Sequence, residues 1–496
     1  MLNSSTEYTD LLKSQYRPKC EPIISVFDGN NLVASWEASD IVDLKLTRGI
    51  DPLGRTHPYI NLEWTEICTD KLDISGEISK YANVTPLMTV RVYFVQNLQF
   101  TSTWKNVYNK GQRPWSWVYT EGYGTWKEVY EDIPHETFMF PTLFLTSKPI
   151  VENNIIRWSA KDFFGFLTTK QSVGFYLDGV RSKNVLRRIL LEERANFKYN
   201  KDFIGAIENT SAYIRDNTTS TVAYRCIFES ETNNILKNML ASKNFYFNLK
   251  NTTEILEDDF GKKIEFESYA KLERLSDLFK IQDPLYTYTF DFIKEPPQIT
   301  KGSSVSTITF KRYKLFEDKE NTYTVRETET TEVGNGTYFV EFELDETGYI
   351  LETSPKADIY INYISNRVGV LSDSKSGLKA TIVPCKRVAY PDYFVDCERE
   401  GEAYEEDNDC CFGKNTEPYK QRRNYIEKYF QAGRGSLTFE GLPNLALELG
   451  DRIRVETNLY DLRTENRIFE QGFLIEQEFS YNGALTQKNT IHEVWL

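Results

Sequence analysis

The stretch Leu437-Thr438-Phe439-Glu440-Gly441-Leu442-Pro443-Asn444-Leu445-Ala446-Leu447-Glu448-Leu449-Gly450-Asp451-Arg452-Ile453-Arg454-Val455 is the most informative in this 496-residue chain. It follows a predicted helix, Tyr419 to Gln431, with Gly433 as its left-handed cap. It leads into a predicted strand, Arg452–Glu456. Two more strands follow, Phe473–Phe479 and Thr486–Val494, with the turn Asn482-Gly483 between them. A strand, a connection and a long hairpin form a unit that can close a small β-barrel.

A similar order occurs near the other end. Leu87-Met88-Thr89-Val90-Arg91-Val92 is followed by Leu143-Phe144-Leu145, the turn Asn153-Asn154, and Ile155 to Ala160. Laid over Leu449 to Val455, Phe473-Leu474-Ile475, Asn482-Gly483 and Thr486 to Val494, it keeps nearly the same spacing from middle strand to turn. The match is of pattern more than identity. A duplicated unit and two ordinary hairpins both remain open on this ground. The first copy carries residues 97–135 where the second has a shorter loop. That insert holds Trp104, Trp115, Trp117 and Trp126, four of the eight tryptophans. Trp and Tyr anchor interfaces and long insertions are usually functional, so these four are the candidate partner-contact residues. The competing reading packs the insert onto its own barrel.

Between these ends the chain alternates in character. Residues 1–22 read as an N-terminal arm. Ile23–Phe27 is strand-like before the turn Asp28-Gly29-Asn30-Asn31, and Ile41–Leu46 alternates as a half-buried strand should. Within 170–300, helices are expected from Asn184 to Arg194 and from Glu231 to Ser242, then strands at Phe245–Leu249 and Ile264–Ser268. Pro296-Pro297 marks a boundary. From Ser303 the pattern is β again, with Val305–Phe310 and Tyr338–Phe342. Residues 397–418 read as an acidic loop.

Composition bounds function. Tyr and Phe number 31 each, which tilts the fold toward pleated, half-buried surfaces. A net charge of −14 argues against a surface that grips nucleic acid, which needs clustered Lys and Arg. It suits a soluble part, or a wall that DNA passes without sticking. Met1 to Lys19 has no apolar h-region, and no segment approaches the ~20 apolar residues of a membrane span. Seven scattered cysteines imply no disulfide framework.

Catalytic and metal motifs are not evident. His57, His135 and His492 lack ligand or catalytic spacing. Cys385, Cys397, Cys410 and Cys411 fall close together, but the only near pair is adjacent, not Cys-x-x-Cys. The acidic run with Glu402, Glu405, Glu406, Asp407 and Asp409 lacks calcium-loop spacing. Gly433-Arg434-Gly435 is not a phosphate loop, and no nucleophile elbow occurs. No catalytic, cofactor-binding or metal residue is assigned.

Leu437–Val455 resembles a recurrent segment of bacteriophage tail hub proteins. There a Gly-Asn-Pro-x-Leu-x-x-Gly-Asp stretch follows a helix and leads into a barrel strand. Phe473–Gln477 with Tyr481–Leu485 is similar to the hairpin that closes that barrel. Leu143–Leu167, with Asp162-Phe163-Phe164-Gly165, is similar to the end of the family's first barrel. This chain departs by reading Gly441-Leu442-Pro443-Asn444 and by carrying the Trp-rich insert. The resemblance implies a mainly β fold with an α+β part: two hub-type small β-barrels, a mixed α/β domain and an inserted aromatic-rich hairpin. Its divisions are an arm (1–22), a first barrel (23–169) with insert 97–135, and a mixed domain (170–300). A β-rich domain (301–418) and a helix with the second barrel (419–496) follow. It further implies a non-enzymatic, cofactor-free homotrimeric ring of pseudo-sixfold symmetry in the virion tail tip, assembled in the host cytoplasm. Its partners would be copies of itself, the tail tube or distal tail protein, a central spike or fibre and the tape-measure protein, with DNA only in transit and no stable membrane contact. The alternatives are a tail-associated cell-wall hydrolase and a receptor- or carbohydrate-binding tail protein.

Overall fold

Alternation builds the strands. Tyr59–Ile67 turns Ile60, Leu62, Trp64 and Glu66 inward, and Leu485–His492 turns in Leu485, Gln487, Asn489 and Ile491. Both show the period-two burial of a sheet with one covered face. The computed structural model describes residues 4–15, 17–68, 81–98, 135–152, 154–167, 176–181, 190, 206, 223–227, 244–257, 263–280, 283–295, 297–300, 302–325, 327–334, 337–343, 349–354, 358–362, 367–372, 379–397, 400–407, 416–431, 435–460 and 467–492. Residues 99–134 of the Trp-rich insert, and all but Leu190 of the two helices expected within 184–242, lie outside them.

The N-terminal half holds helix α1 (Thr6–Leu11) and strands β1 (Cys20–Asp28), β2 (Asn31–Trp36), β3 (Asp43–Gly49), β4 (Tyr59–Ile67), β5 (Thr89–Asn97), β6 (His135–Met139), β7 (Leu143–Leu145), β8 (Ile150–Glu152) and β9 (Ile155–Lys161). The middle holds β10 (Tyr176–Arg181), β11 (Ala223–Ile227), β12 (Phe245–Glu257), β13 (Lys263–Arg274), α2 (Leu275–Leu278), β14 (Tyr286–Tyr288) and β15 (Gln298–Thr300). Next come β16 (Val305–Glu317), β17 (Tyr323–Val325), β18 (Glu327–Gly334), β19 (Thr337–Glu343), β20 (Tyr349–Ser354), β21 (Asp358–Asn362), β22 (Arg367–Ser372), β23 (Lys379–Asp396) and β24 (Glu402–Asp407). The chain ends with α3 (Glu417–Gln431), β25 (Ser436–Gly441), β26 (Arg452–Tyr460), β27 (Arg467–Tyr481) and β28 (Leu485–His492).

The mainly β expectation holds, but two separate barrels do not form. One 15-stranded sheet runs through both ends of the chain, with the main order β15-β25-β28-β27-β3-β4-β9-β7-β5-β1-β2 and β6, β8, β14 and β26 paired beside it. No single strand closes either half into a ring among the described residues. The reason is β27, which is too long for one partner. Its first part pairs with β26, and its last part, Glu476–Tyr481, leaves β26 and pairs with β3 of the N-terminal half. Residues 286–300, grouped by sequence with the middle region, belong to the C-terminal half. There β14 lies parallel to β26 and β15 antiparallel to β25, with a 3-10 turn between them.

One core lies inside the N-terminal half and crosses the junction, joining Ile24, Val92, Leu62 and Trp158 to Leu445, Phe479 and Tyr481. A second lies inside the C-terminal half around Tyr288, Phe439, Ile453 and Leu474. A third fits α3 against β16 and the loop 50–53. The acidic run is not a loop throughout, because Glu402–Asp407 forms β24, parallel to β16. Three of its carboxylates are engaged: Lys311 pairs with Glu405, Arg422 with Glu406, and Tyr313 donates to Asp407. No helix among the described residues is long and apolar enough to cross a membrane.

Candidate functional site

The internal echo becomes a register match. In the N-terminal half, Thr89 lies opposite Phe144 and Phe144 opposite Lys161. In the C-terminal half, Arg452 lies opposite Phe473 and Phe473 opposite His492. The flanking hydrogen bonds also repeat. Leu145 N–H donates to Met88 O at 3.0 Å and Leu87 N–H to Leu145 O at 2.8 Å. Their counterparts are Leu474 to Asp451 O and Gly450 to Leu474 O, both at 2.8 Å. Leu87 and Gly450 then share a left-handed backbone, φ 67° and 88°, as do the hairpin residues Asn154 and Gly483 at 62° and 97°. A leucine in that region is uncommon. The matched residue is a glycine, which takes it readily, so the two turns share backbone geometry as well as register.

The match extends outward. Leu62 of β4 and Leu437 of β25 occupy equivalent rows, and so do Leu46 of β3 and Ile299 of β15. What differs is the filling. Trp158 and Asn489 are equivalent by register. Around Trp158 the N-terminal half packs Trp36, Trp64 and Tyr81, with ring centroids 4.8, 5.6 and 4.9 Å away. Around Asn489 the C-terminal half buries amides. Gln487 Nε2 donates to Asn489 Oδ1 at 2.8 Å, and Asn444 N–H donates to Gln487 Oε1 at 2.6 Å.

The seam is the pairing of β3 with β27, where Gly49 lies opposite Glu476 and Leu44 opposite Tyr481. Arg48 is buried there. Its Nε donates to Gln477 Oε1 at 2.8 Å and its Nη2 to Leu447 O at 2.6 Å. The guanidinium also lies 5.0 Å from the centroid of Phe140. Burial lowers its pKa from the usual arginine value to about 10, with Glu448 and Asp451 opposing. Buried arginine without a contacting carboxylate is expensive, so its hydrogen bonds fix which strands meet more than they add stability. The N-terminal segment straps the same seam. Tyr8, fully buried, accepts from Leu445 N–H at 2.9 Å and packs on Phe138 of β6. Arg17 reaches Pro443 O and Tyr286 Oη.

Two further buried polar residues tie separate chain segments together. Asp162 caps the 3-10 turn Phe163–Phe166, accepting from Phe164 N–H at 2.8 Å and Gly165 N–H at 3.2 Å. Its other oxygen accepts from Ile60 N–H at 2.8 Å. Burial raises its pKa to about 6 against the pull of those donors. The folded state therefore binds this proton more tightly than the unfolded chain, whose aspartate titrates near ~3.9. The contribution is present below that pH and is lost as pH rises through about 6. Wild type should lose up to roughly 3 kcal/mol relative to Asp162→Asn between pH 4 and pH 7. Denaturant unfolding of both proteins across that range checks it, and a pH-independent difference would refute it.

Arg422 of α3 is the other. It donates to Glu406 from Nε at 3.1 and 3.0 Å and from Nη2 at 2.9 Å. It also donates to Asn244 Oδ1 at 3.1 Å and Leu53 O at 2.5 Å. Four chain segments thus meet at one side chain. Burial alone would lower its pKa, but Glu406 holds it above the ordinary value.

The residues singled out from sequence fare differently. Trp104, Trp115, Trp117 and Trp126 lie outside the described residues. His57 stacks on Phe164 at 5.0 Å, His135 starts β6, and His492 Nε2 is 2.9 Å from Tyr429 Oη. The three are on separate elements. Cys397 is a free thiol 3.8 Å from Glu427 Oε1. The side chain of Cys385 and residues Cys410 and Cys411 are not among those described. No group of three potential metal ligands occurs among the described residues. Arg48, Glu66 and Arg422 were not found by sequence reading. Only a charged residue within an otherwise apolar alternation, as in Trp64-Thr65-Glu66-Ile67, could have signalled one of them.

No family model matches the chain, and no curated protein matches it. Solved structures do. A tail protein from Neisseria meningitidis MC58 matches at TM-score 0.42 and 8% identity, over 95% of this chain and 96% of that one. The 43 kDa tail protein of prophage MuSo2 from Shewanella oneidensis matches at TM-score 0.41 and 9% identity, over 95% and 98%. Prophage tail protein gp18 from Listeria monocytogenes EGD-e matches at TM-score 0.36 and 7% identity, over 95% of both chains.

Proposed function

We propose that this chain is a non-enzymatic structural component of a phage tail tip: a hub subunit whose copies close into a ring. The observation that carries the reading is the register match between the halves. One chain supplies two equivalent units already joined edge to edge in one sheet. Heterologous edge contacts of this kind must either close into a ring or propagate. Three copies would present six similar units, which suits a junction between a sixfold tube and a threefold spike or fibre. The acidic balance of −14 fits a wall past which DNA slides without binding. In this reading the tube or distal tail protein, the spike and the tape-measure protein are neighbours, and the particle is built in the host cytoplasm.

Sedimentation or native mass measurement of the purified chain should give three copies per particle. Electron microscopy should show a ring with six similar lobes. A chain that stays monomeric at all concentrations sinks the ring reading. Clearing of peptidoglycan in a zymogram by the purified chain sinks the non-enzymatic one.

A further inference from the structure

The two halves treat one buried position differently. In the N-terminal half the carboxylate of Glu66 sits inside the aromatic cluster. It accepts from Trp158 Nε1 at 3.0 Å and from Tyr81 Oη at 2.8 Å. Each of these rows has a counterpart in the other half. Trp64 lies opposite Trp158 and Glu66 opposite Ile156, while Phe439 lies opposite Asn489 and Gly441 opposite Gln487. Trp158 thus corresponds to Asn489, and Glu66 to Gly441. The C-terminal half has donors here but no carboxylate.

Asn489 Nδ2 and Tyr288 Oη are both fully buried, and neither has an acceptor among the described residues. The amide cannot be turned to relieve this. Asn489 Oδ1 already accepts from Gln487 Nε2 at 2.8 Å and from Gln477 Nε2 at 3.3 Å. Arg17 Nε is likewise buried without an acceptor, and its other nitrogens donate to the neutral oxygens Pro443 O, Leu12 O and Tyr286 Oη. Burial and Tyr286 raise the Tyr288 pKa, while Arg17 and Asn489 act against the rise, so both lie within electrostatic reach of the phenol. No side chain could bring an acceptor from row 441, because a Cβ on Gly441 would stand 2.7 Å from Tyr288 Cε1. Natural structures satisfy nearly all such buried donors. Phe439, Gly441 and Asn489 are each smaller than their counterparts Trp64, Glu66 and Trp158, which leaves room for a small occupant.

We propose that a halide ion, chloride in ordinary solution, binds at Tyr288 Oη and Asn489 Nδ2 under the charge of Arg17, in the role that the Glu66 carboxylate has in the N-terminal half. Donors and a positive charge suit an ion that only accepts. A water would also need acceptors for its own two hydrogens.

Urea unfolding of the full chain in sodium chloride and in sodium gluconate, at matched ionic strength, tests this. Gluconate is too large for the position. Chloride should raise the unfolding midpoint, and the rise should saturate. At about a hundred times its dissociation constant, the folding equilibrium should shift about a hundredfold. Tyr288→Phe keeps the ring against Phe439 but removes one donor, and should weaken chloride affinity roughly tenfold or more. In crystals of the wild-type protein soaked in sodium bromide, an anomalous peak should lie against Tyr288 Oη and Asn489 Nδ2. Equal midpoints in the two salts, or a water at that position that bromide does not replace, would overturn the proposal. The bromide measurement needs no variant, so it decides the matter even where Tyr288→Phe does not fold.

Discussion

Replacing Arg422 with alanine is expected to destabilise the protein by about 3–5 kcal/mol, the cost of breaking a buried ion pair from one side. Glu406 would be left largely buried without its partner, and Leu53 O and Asn244 Oδ1 would lose their donor. Size is not the main issue. Arg422→Met keeps most of the volume but still strands the carboxylate, so it should cost nearly as much. Adding Glu406→Leu to Arg422→Met should recover most of the loss, because replacing both charges removes the desolvation penalty. Denaturant unfolding of the two single variants and the double variant gives the coupling directly. Additive losses would show that the pair does not act as a unit. The effect should also loosen three regions together, because β24, Asn244 and the loop at Leu53 all converge on this side chain. Hydrogen exchange would locate that loosening.

Trp158→Ala should be at least as damaging, at about 4–6 kcal/mol. Emptying a buried tryptophan site costs about 3–5 kcal/mol through lost transfer and the cavity left behind. Here a polar loss adds to it. Trp158 Nε1 donates to Glu66 Oε1 at 3.0 Å, and Tyr81 Oη donates to the other oxygen at 2.8 Å. Glu66 is 5% exposed, so losing a donor costs about 1–3 kcal/mol more. Trp158→Phe separates the terms. It keeps most of the ring contact with Trp36 and Trp64 and should lose only about 1–3 kcal/mol. Thermal or urea unfolding of the two variants tests this. A phenylalanine variant as unstable as the alanine variant would show that the hydrogen bond, not the packing, dominates.

The strands were largely legible because their signal is local. Leu143–Leu145 and Arg452–Glu456 stand where alternation and turn residues put them, and the helix Tyr419–Gln431 begins only two residues early, at Glu417. The turn Asn153-Asn154 was legible for the same reason, since asparagine tolerates the left-handed backbone found at Asn154. The β24 strand was missed because its charges read as a solvated loop. Pairing with β16 on one side and with Arg422 and Lys311 supplies what composition could not show.

The Leu437–Val455 stretch marks the division. By itself the sequence determined that a helix precedes this stretch, that a strand ends it at Arg452–Glu456, and that a similar order of strand, connection and hairpin recurs near Leu87–Ala160; the strand at Ser436–Gly441 was not read from it. Periodicity and turn chemistry act over a few residues and can be read without knowing the fold. Only the tertiary structure decided that the two units share a register and merge into one sheet. That depends on which edge Glu476–Tyr481 meets after leaving β26, a contact with β3 more than four hundred residues away in the chain. Edge hydrogen bonds are the same for every strand. The choice of partner is therefore fixed by packing across the whole molecule, through Arg48, Tyr8 and the shared core.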